Sequence, residues 1–284
     1  MSLLTGGALQ IDRRIVKVPK VINPFNILHL SDLHFVEGSG SQFEELKKAI
    51  SAINVDIDLM TWGGDLLSND NGLKYLGQLR ALLPNVPCVA ILGNHDVSHD
   101  KRFYIKKNLS LLKRLLYFNR VRQPDELRAY LKTLNLHLLE DEELKLDIAS
   151  NKVHFYGVKQ PHMCVPHLKP QVDLNESDFN LLLVHRPDMR DYMVEGFDLL
   201  LGGHTHGGQI HLPFLGPFAS NCALHPKTAA GHFLLGKTQT IVNNGFSATP
   251  FLDFRFGCPR QISVIEVSEG EIPNLDSLKF LVES

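Results

Sequence analysis

Residues 25–34 read FNILHLSDLH, an apolar run that ends in a polar cluster carrying an aspartate and a histidine. Residues 57–65, IDLMTWGGD, and residues 87–96, PCVAILGNHD, repeat this order. Short apolar runs of this kind predict buried strands of a largely parallel sheet. The polar residues that follow each run then lie at the carboxyl edge of the sheet, where open α/β folds bind their ligands.

Further segments extend this pattern into a complete fold. Apolar residues at helical spacing predict helices over Phe43–Ile53 and Gly72–Leu83. Additional strands are predicted at Val153–Val158, Phe179–His185, Phe197–Leu201, Gly231–Leu235, Gln239–Asn243 and Gln261–Val267. Alternating strands and helices followed by hairpins predict an α/β fold, a four-layer α/β/β/α sandwich of two mixed sheets flanked by helices. We expect one domain over residues 1–284.

Composition limits the possible classes of function. The 284 residues are 44% hydrophobic and 21% charged, with a net charge of −2, which indicates a globular protein and no stable nucleic-acid partner. The four cysteines form no CxxC pair, which is typical of a reducing compartment. The sequence shows no signal peptide and no long apolar run, so a cytoplasmic location is expected.

Two later strand ends add histidines to the polar clusters. His185 follows one apolar run, and residues 203–208, GHTHGG, follow another. Carboxylate, imidazole and amide oxygen together suit Mn, Fe, Zn or Mg rather than a metal that prefers thiolates. Two such cations side by side need an anionic ligand between them, and Asp65 is the natural bridge. We therefore expect two divalent metal ions at the strand ends.

The polar clusters resemble the motifs of the calcineurin-like metallophosphoesterase superfamily. They read DLH at 32–34, GGDLL at 63–67, GNHD at 93–96, HRPD at 185–188 and GGHTHGGQI at 202–210, in the order of that family. The resemblance covers Asn26 to about Val267. The GHTHGGQ form, with HxPD upstream and VNNGF-P-R downstream, is similar to a bacterial branch that includes membrane-associated phosphodiesterases and UDP-2,3-diacylglucosamine pyrophosphatase-like enzymes.

The resemblance implies a role for each matching residue. One metal would be held by Asp32, His34, Asp65 and His206, and the second by Asp65, Asn94, His185 and His204. His95 would act on the leaving group as a general acid or steady the charge of the transition state, and Asp96 would orient His95. Every ligand position is filled, which disfavours a non-catalytic binding scaffold.

The sequence departs from close relatives after GNHD, where an insertion is expected at about residues 98–128. Within it, residues 101–122 read KRFYIKKNLSLLKRLLYFNRVR, with eight basic residues and no acidic one. The spacing predicts a basic amphipathic helix. Two interpretations stay open. It is a core-packing helix with a solvated basic face, or a cap that contacts a lipid, the inner face of a membrane or an acidic substrate.

These observations predict a two-metal phosphoester hydrolase, a phosphodiesterase or pyrophosphatase that uses a metal-bridging hydroxide. The favoured substrate is a lipid-linked or nucleotide-linked phosphodiester or pyrophosphate, such as UDP-2,3-diacylglucosamine in lipid A synthesis. A nuclease or a cyclic-nucleotide phosphodiesterase is the alternative. A nuclease predicts a basic groove along a nucleic-acid backbone, whereas the basic residues here cluster in one amphipathic segment.

Other polar residues receive weaker assignments. His29 lies within an apolar run and is expected in the core, whereas His99 could reach the site. For Arg186, both a phosphate contact and a surface role stay open. Asn243 and Asn244 precede a glycine and predict a turn. Structural or surface roles are expected for His154, His162, His167, His211, His225 and His232.

Overall fold

The computed structural model describes residues 8–97, 124–159, 172–190, 193–212, 216–217, 220, 222, 224–248 and 255–276. The predicted basic helix at 101–122, together with His99, His162 and His167, lies outside these residues. Residues 124–128, the end of the predicted insertion, begin a helix whose Leu127 is buried. In the described ranges no helix combines the length and the apolar character needed to span a bilayer.

The first sheet has six strands in the order β1-β14-β2-β3-β4-β5. The strands are β1 (Gln10–Lys17), β2 (Phe25–Leu30), β3 (Leu59–Gly63), β4 (Cys88–Ile91), β5 (His137–Leu138) and β14 (Gln261–Ser268). Strands β2 to β5 run parallel, whereas β14 is parallel to β1 and antiparallel to β2. The C-terminal strand β14 therefore separates the first two strands of the chain.

The second sheet has six strands in the order β12-β13-β9-β8-β7-β6. The strands are β6 (Glu142–Ile148), β7 (Asn151–Gly157), β8 (Phe179–Leu183), β9 (Leu199–Gly202), β12 (Gly231–Leu235) and β13 (Thr238–Val242). The four central strands are parallel and the two edge strands antiparallel, so both sheets are mixed. Strands β10 (His211–Leu212) and β11 (Gly216–Pro217) form a separate pair.

Three apolar layers hold these elements together. The helices are α1 (Gly40–Ser51), α2 (Leu73–Leu82), the short α3 (Asn94–Val97) and α4 (Pro124–Thr133). Leu46, Leu76 and Leu127 pack α1, α2 and α4 on the outer face of the first sheet. Ile27 and Leu181 belong to the core between the two sheets. The predicted α/β class, with two mixed sheets and flanking helices, is confirmed.

The outer face of the second sheet is covered differently. Leu182 and Leu200 pack there against Met189, Met193 and Val194, which lie in irregular chain within the described residues. The predicted strands are found with their ends displaced by at most a few residues. Strands β1 and β6 were not predicted, because their exposed edge positions carry polar residues throughout.

Candidate metal centre

The seven predicted metal ligands lie at the carboxyl ends of parallel strands from both sheets. Asp32 and His34 follow β2, Asp65 follows β3, Asn94 follows β4, His185 follows β8, and His204 and His206 follow β9. Six of them form two buried groups, each with donor atoms within 4.8 Å of one another. The first group is Asp32, His34 and His206, and the second group is Asp65, His185 and His204.

Asp65 lies between the two groups. Its Oδ2 atom is 3.2 Å from Nε2 of His185 and 3.6 Å from Nε2 of His34. Its Oδ1 atom accepts a hydrogen bond of 2.7 Å from the backbone N–H of His95. One carboxylate oxygen therefore faces a histidine of each group, and the other oxygen is fixed by the main chain.

Three buried polar atoms at this edge test whether cations fit. Nε2 of His34, Nε2 of His185 and Oδ1 of Asn94 have no hydrogen-bond partner among the described residues. Leaving such groups unpaired costs about 1–3 kcal/mol each. Nitrogen and oxygen donors that converge without partners suit divalent cations of the Mn, Fe, Zn or Mg type. The donors fit the two divalent cations predicted from the sequence.

The other ring nitrogens fix the orientation of these histidines. Nδ1 of His185 lies 2.8 Å from the carbonyl oxygen of Gly63, and Nδ1 of His206 lies 2.9 Å from that of Ser247. A neutral imidazole that donates through Nδ1 leaves Nε2 free to bind a metal. The main chain thus selects the form of both rings that a cation requires.

Asp32 is held from two directions. The Ser31 hydroxyl donates to its Oδ2 at 2.5 Å, and the backbone N–H of His204 donates to both oxygens at 3.1 and 3.2 Å. Its Oδ1 atom lies 3.4 Å from Nε2 of His206. A residue after β2 and residues after β9 therefore meet directly, which joins the edges of the two sheets.

Five predicted ligands adopt a backbone conformation that side chains rarely take. The φ angles are +54° at Asp32, +47° at His34, +52° at Asp65, +67° at His204 and +50° at His206. Residues held in this left-handed region cost of order 1–3 kcal/mol each and cluster at functional sites. The fold accepts this cost at the positions where its metal-binding side chains converge.

Two glycines permit the close approach of the loops that carry the ligands. A Cβ atom on Gly93 would lie 2.1 Å from Oδ1 of Asp65. A Cβ atom on Gly203 would lie 1.9 Å from Oγ of Ser31 and 2.5 Å from Oδ2 of Asp32. The structure gives these glycines a packing role between loops, in addition to the phosphate access expected from the sequence.

The two buried carboxylates differ in acidity. Burial would raise the pKa of Asp65, but the His185, His95 and His34 imidazoles outweigh it and hold the pKa well below its ordinary value. Burial raises the pKa of Asp32 to about 6, with Asp65 adding to the shift and His185 opposing it. Asp65 therefore keeps its negative charge, which a ligand between two cations needs.

The histidines separate in the same way. Burial lowers the pKa of His34, His204 and His206 well below the ordinary value, which keeps these imidazoles neutral. Burial also acts against a charge on His185, but Asp65 and then Asp32 outweigh it and raise the pKa to about 9. A positive charge is thus favoured between these carboxylates, and a divalent cation supplies one.

Asp96 is buried below the loops that carry Asn94 and Asp65. Its carboxylate accepts the backbone N–H groups of Leu66 at 3.0 Å, Leu67 at 3.2 Å and Gly93 at 2.9 Å. These bonds show a role in shaping the loops. The orientation of His95 by Asp96 stays a prediction.

His95 itself is half-buried. Its ring centroid lies 5.0 Å from that of His34, and the two rings are arranged edge to face. The imidazole is therefore beside the first group and open to a bound molecule.

Three residues that contact the centre were not assigned a role from the sequence. They are Ser31, Ser247 and Arg255. The predicted turn is present, since the N–H of Gly245 donates to Oδ1 of Asn243, and this turn lies against Asp32. The VNNGF run was therefore the available signal for the Ser247 contact, although no spacing rule indicated it.

The remaining polar residues lie around this centre or apart from it. His29 is buried as predicted, with Nδ1 2.9 Å from the hydroxyl of Thr61. Nε of Arg186 donates to Asp188 at 3.0 Å, and both interpretations of Arg186 stay open.

Comparison with known proteins places the chain in a family. The model of the Calcineurin-like phosphoesterase family matches residues 25–208, more than half of the chain. The chain belongs to this family. The resemblance stated from the five motifs is confirmed, and the expected chemistry, metal-dependent phosphoester hydrolysis, is that of the family.

Several known proteins are similar to this calcineurin-like phosphoesterase. It is 32% identical to the uncharacterized metallophosphoesterase YkoQ of Bacillus subtilis over 66% of this chain and 63% of YkoQ, so it spans less than two thirds of that relative. It is 28% identical to the phosphodiesterase YaeI of Escherichia coli over 86% of this chain and 82% of YaeI. The 5'-nucleotidase precursor structure from Thermus thermophilus covers 79% of this chain and 49% of its own, with 12% identity and a TM-score of 0.44.

Proposed function

We propose that this chain hydrolyses phosphodiester or pyrophosphate bonds with two divalent cations bound at the centre. Asp32, His34 and His206 hold one cation together with Asp65. Asn94, His185 and His204 hold the other, again with Asp65. The observation that carries this proposal is the position of Asp65, whose Oδ2 atom faces a histidine of each group.

The cations, when bound, supply charge for the phosphate oxygens and a hydroxide at neutral pH. The chain supplies the remaining chemistry. Asp65 stays ionised between the two groups, and the neutral imidazoles offer Nε2. His95 is close to the first group and half-buried, so it is placed to give a proton to the leaving oxygen. Asp96 keeps the loop of His95 in register with that of Asp65.

The first experiment measures hydrolysis of bis(p-nitrophenyl) phosphate with added manganese. We compare wild type, Asp65→Asn and His95→Ala, with His137→Ala as a control because His137 is exposed and remote in sequence from every motif. Metal-dependent turnover that is lost in Asp65→Asn and His95→Ala but kept in His137→Ala supports the proposal. Wild-type protein that binds no manganese and shows no turnover overturns it.

The substrate we favour is a lipid-linked or nucleotide-linked pyrophosphate or phosphodiester. Its support is the basic amphipathic sequence at 101–122, whose apolar residues suit acyl chains and whose lysines and arginines suit phosphates or an anionic membrane face. The name of YaeI agrees with phosphodiester chemistry without specifying a substrate. We would test UDP-2,3-diacylglucosamine by measuring release of UMP. Turnover no faster than that of a small nitrophenyl ester, or faster turnover of DNA or a cyclic nucleotide, contradicts this choice.

A further inference from the structure

Arg255 is a buried cation in direct contact with the loop of His206. Its exposed fraction is 1%. Its Nη1 donates to the carbonyl oxygen of His206 at 3.1 Å, and its Nη2 donates to those of Asn244 at 2.6 Å, Gly245 at 3.3 Å and Ser247. A guanidinium with its donors fixed in one plane can hold several carbonyls at set positions. Arg255 therefore joins the His206 loop to residues 244–247.

The Ser247 carbonyl is shared between Arg255 and the ring of His206. Nδ1 of His206 lies 2.9 Å from this oxygen, and Nη2 of Arg255 lies 3.1 Å from Nδ1 itself. Because a guanidinium cannot accept a proton, the carbonyl is the acceptor for an Nδ1–H. Only the form of the ring with Nδ1–H leaves Nε2 unprotonated and free for a cation. The position of the Ser247 carbonyl thus decides whether His206 can serve as a ligand.

Ser247 also holds the loop of Asp32. Its backbone N–H donates to the carbonyl oxygen of Asp32 at 2.9 Å, and its hydroxyl donates to that of Leu33 at 2.6 Å. By fixing Ser247, Arg255 acts on two members of the first group at once. In the second group, His185 is held by Gly63 instead.

We infer that Arg255 is a positioning residue for the first group: it fixes the Ser247 carbonyl, and this carbonyl keeps His206 in its cation-binding form. This inference rests on the proposed function, because it assumes that both groups bind divalent cations. It predicts that changing Arg255 weakens one cation site and spares the other. A purely structural arginine would instead lower stability without distinguishing the two sites.

The chain offers a matched control in Arg80, a second buried arginine that donates to main-chain carbonyls. Its exposed fraction is 7%, and its partners are the carbonyls of Leu83, Pro84 and Asn135, away from the centre. We would compare wild type, Arg255→Gln, Arg255→Lys and Arg80→Gln. The probe is Mn²⁺ alone, followed by bound metal per chain and by electron paramagnetic resonance, which distinguishes coupled from isolated Mn²⁺.

The wild type is expected to bind two Mn²⁺ ions with a coupled signal. Arg255→Gln is expected to bind one ion tightly with an isolated signal, its other site weakened about 10–100-fold, as is usual when a partner of a ligand is lost. Arg80→Gln is expected to keep the coupled signal at a lower melting temperature. If Arg255→Gln does not fold, Arg255→Lys decides, with partial loss at one site expected.

The outcomes separate the two proposals. Wild-type protein that binds no Mn²⁺ overturns the proposed function. Two ions with a coupled signal in the wild type and unchanged in both Arg255 variants overturn only this inference. Equal loss of coupling in Arg80→Gln and Arg255→Gln also overturns it, because the effect would then come from lowered stability.

Discussion

The carboxylate of Asp96 accepts the backbone N–H of Leu66 at 3.0 Å, so the residue after His95 fixes the residue after Asp65. It also accepts the N–H groups of Leu67 and Gly93. Two loops that follow neighbouring strands are thus joined by one buried acid.

Asp96→Asn is expected to destabilise this junction. The amide can accept through only one atom, and its NH₂ group would face a backbone N–H, so about 1–3 kcal/mol of unfolding free energy should be lost. Urea unfolding in EDTA measures the change. The control is Asp147→Asn, since the Asp147 side chain is 77% exposed. An Asp96→Asn variant as stable as this control would contradict the role assigned to Asp96.

Gly203→Ala is expected to disturb the first group. The new methyl group would lie 1.9 Å from Oγ of Ser31 and 2.5 Å from Oδ2 of Asp32, so the Asp32 carboxylate must move. Overpacking of this kind costs about 1–3 kcal/mol. Thermal unfolding and Mn²⁺ binding should both fall. Gly38→Ala is the matched control, because nothing lies within 4 Å of its added methyl group. Equal Mn²⁺ binding by the two variants would argue against the prediction.

His29 is expected to make stability depend on pH. Burial lowers its pKa from 6.5 to about 4, so between these values the unfolded chain binds a proton at His29 that the folded chain does not. The contribution is complete above pH 6.5 and is lost as the pH falls toward 4, with a slope of up to about 1.4 kcal/mol per pH unit.

The variant His29→Gln should remove this part of the slope while the other buried histidines keep theirs. Unfolding free energies measured in EDTA from pH 4.5 to 7 test it, with His137→Gln as the exposed control. Identical slopes for wild type and His29→Gln would show that His29 is not held neutral in the folded protein.

Removal of the cations is expected to separate Asp65 from the other ligands. Binding to the folded state raises the melting temperature in proportion to RT ln(1 + [L]/Kd). Because Asp65 faces both groups, Asp65→Asn should lose most of the stabilisation given by Mn²⁺, whereas His206→Gln should keep the part from the second group. Melting temperatures with Mn²⁺ and with EDTA provide the comparison. A larger loss in His206→Gln would argue against a bridging Asp65.

The sequence predicted the centre better than its surroundings, for a physical reason. Apolar runs end where strands end, and the ends of parallel strands converge, so the positions of Asp32, Asp65 and His185 follow from the pattern of burial. The contacts of Arg255 go to main-chain carbonyls, and carbonyls leave no trace in the residue pattern. The positive φ angle at His204 was equally hidden, since the residue type gives no sign of it.

The fold outside the centre shows the same division. Strands with both faces buried, such as β2, were found within their bounds. The edge strand β6 alternates exposed and half-buried positions, so its apolar signal is weak. The pairing of β14 between β1 and β2 joins segments far apart in the chain, and a local pattern cannot indicate which distant strand fills such a position.

The position of β14 also sets an order of events during protein synthesis. While a nascent chain leaves the ribosome, β1 and β2 have no strand between them until residues 261–268 have been translated. Asp32 directly follows β2, and its partners at 204, 206 and 247 emerge late as well. The cations must therefore be captured after nearly all of these residues are made. A cell that lacks them would accumulate finished but unloaded protein rather than stalled intermediates.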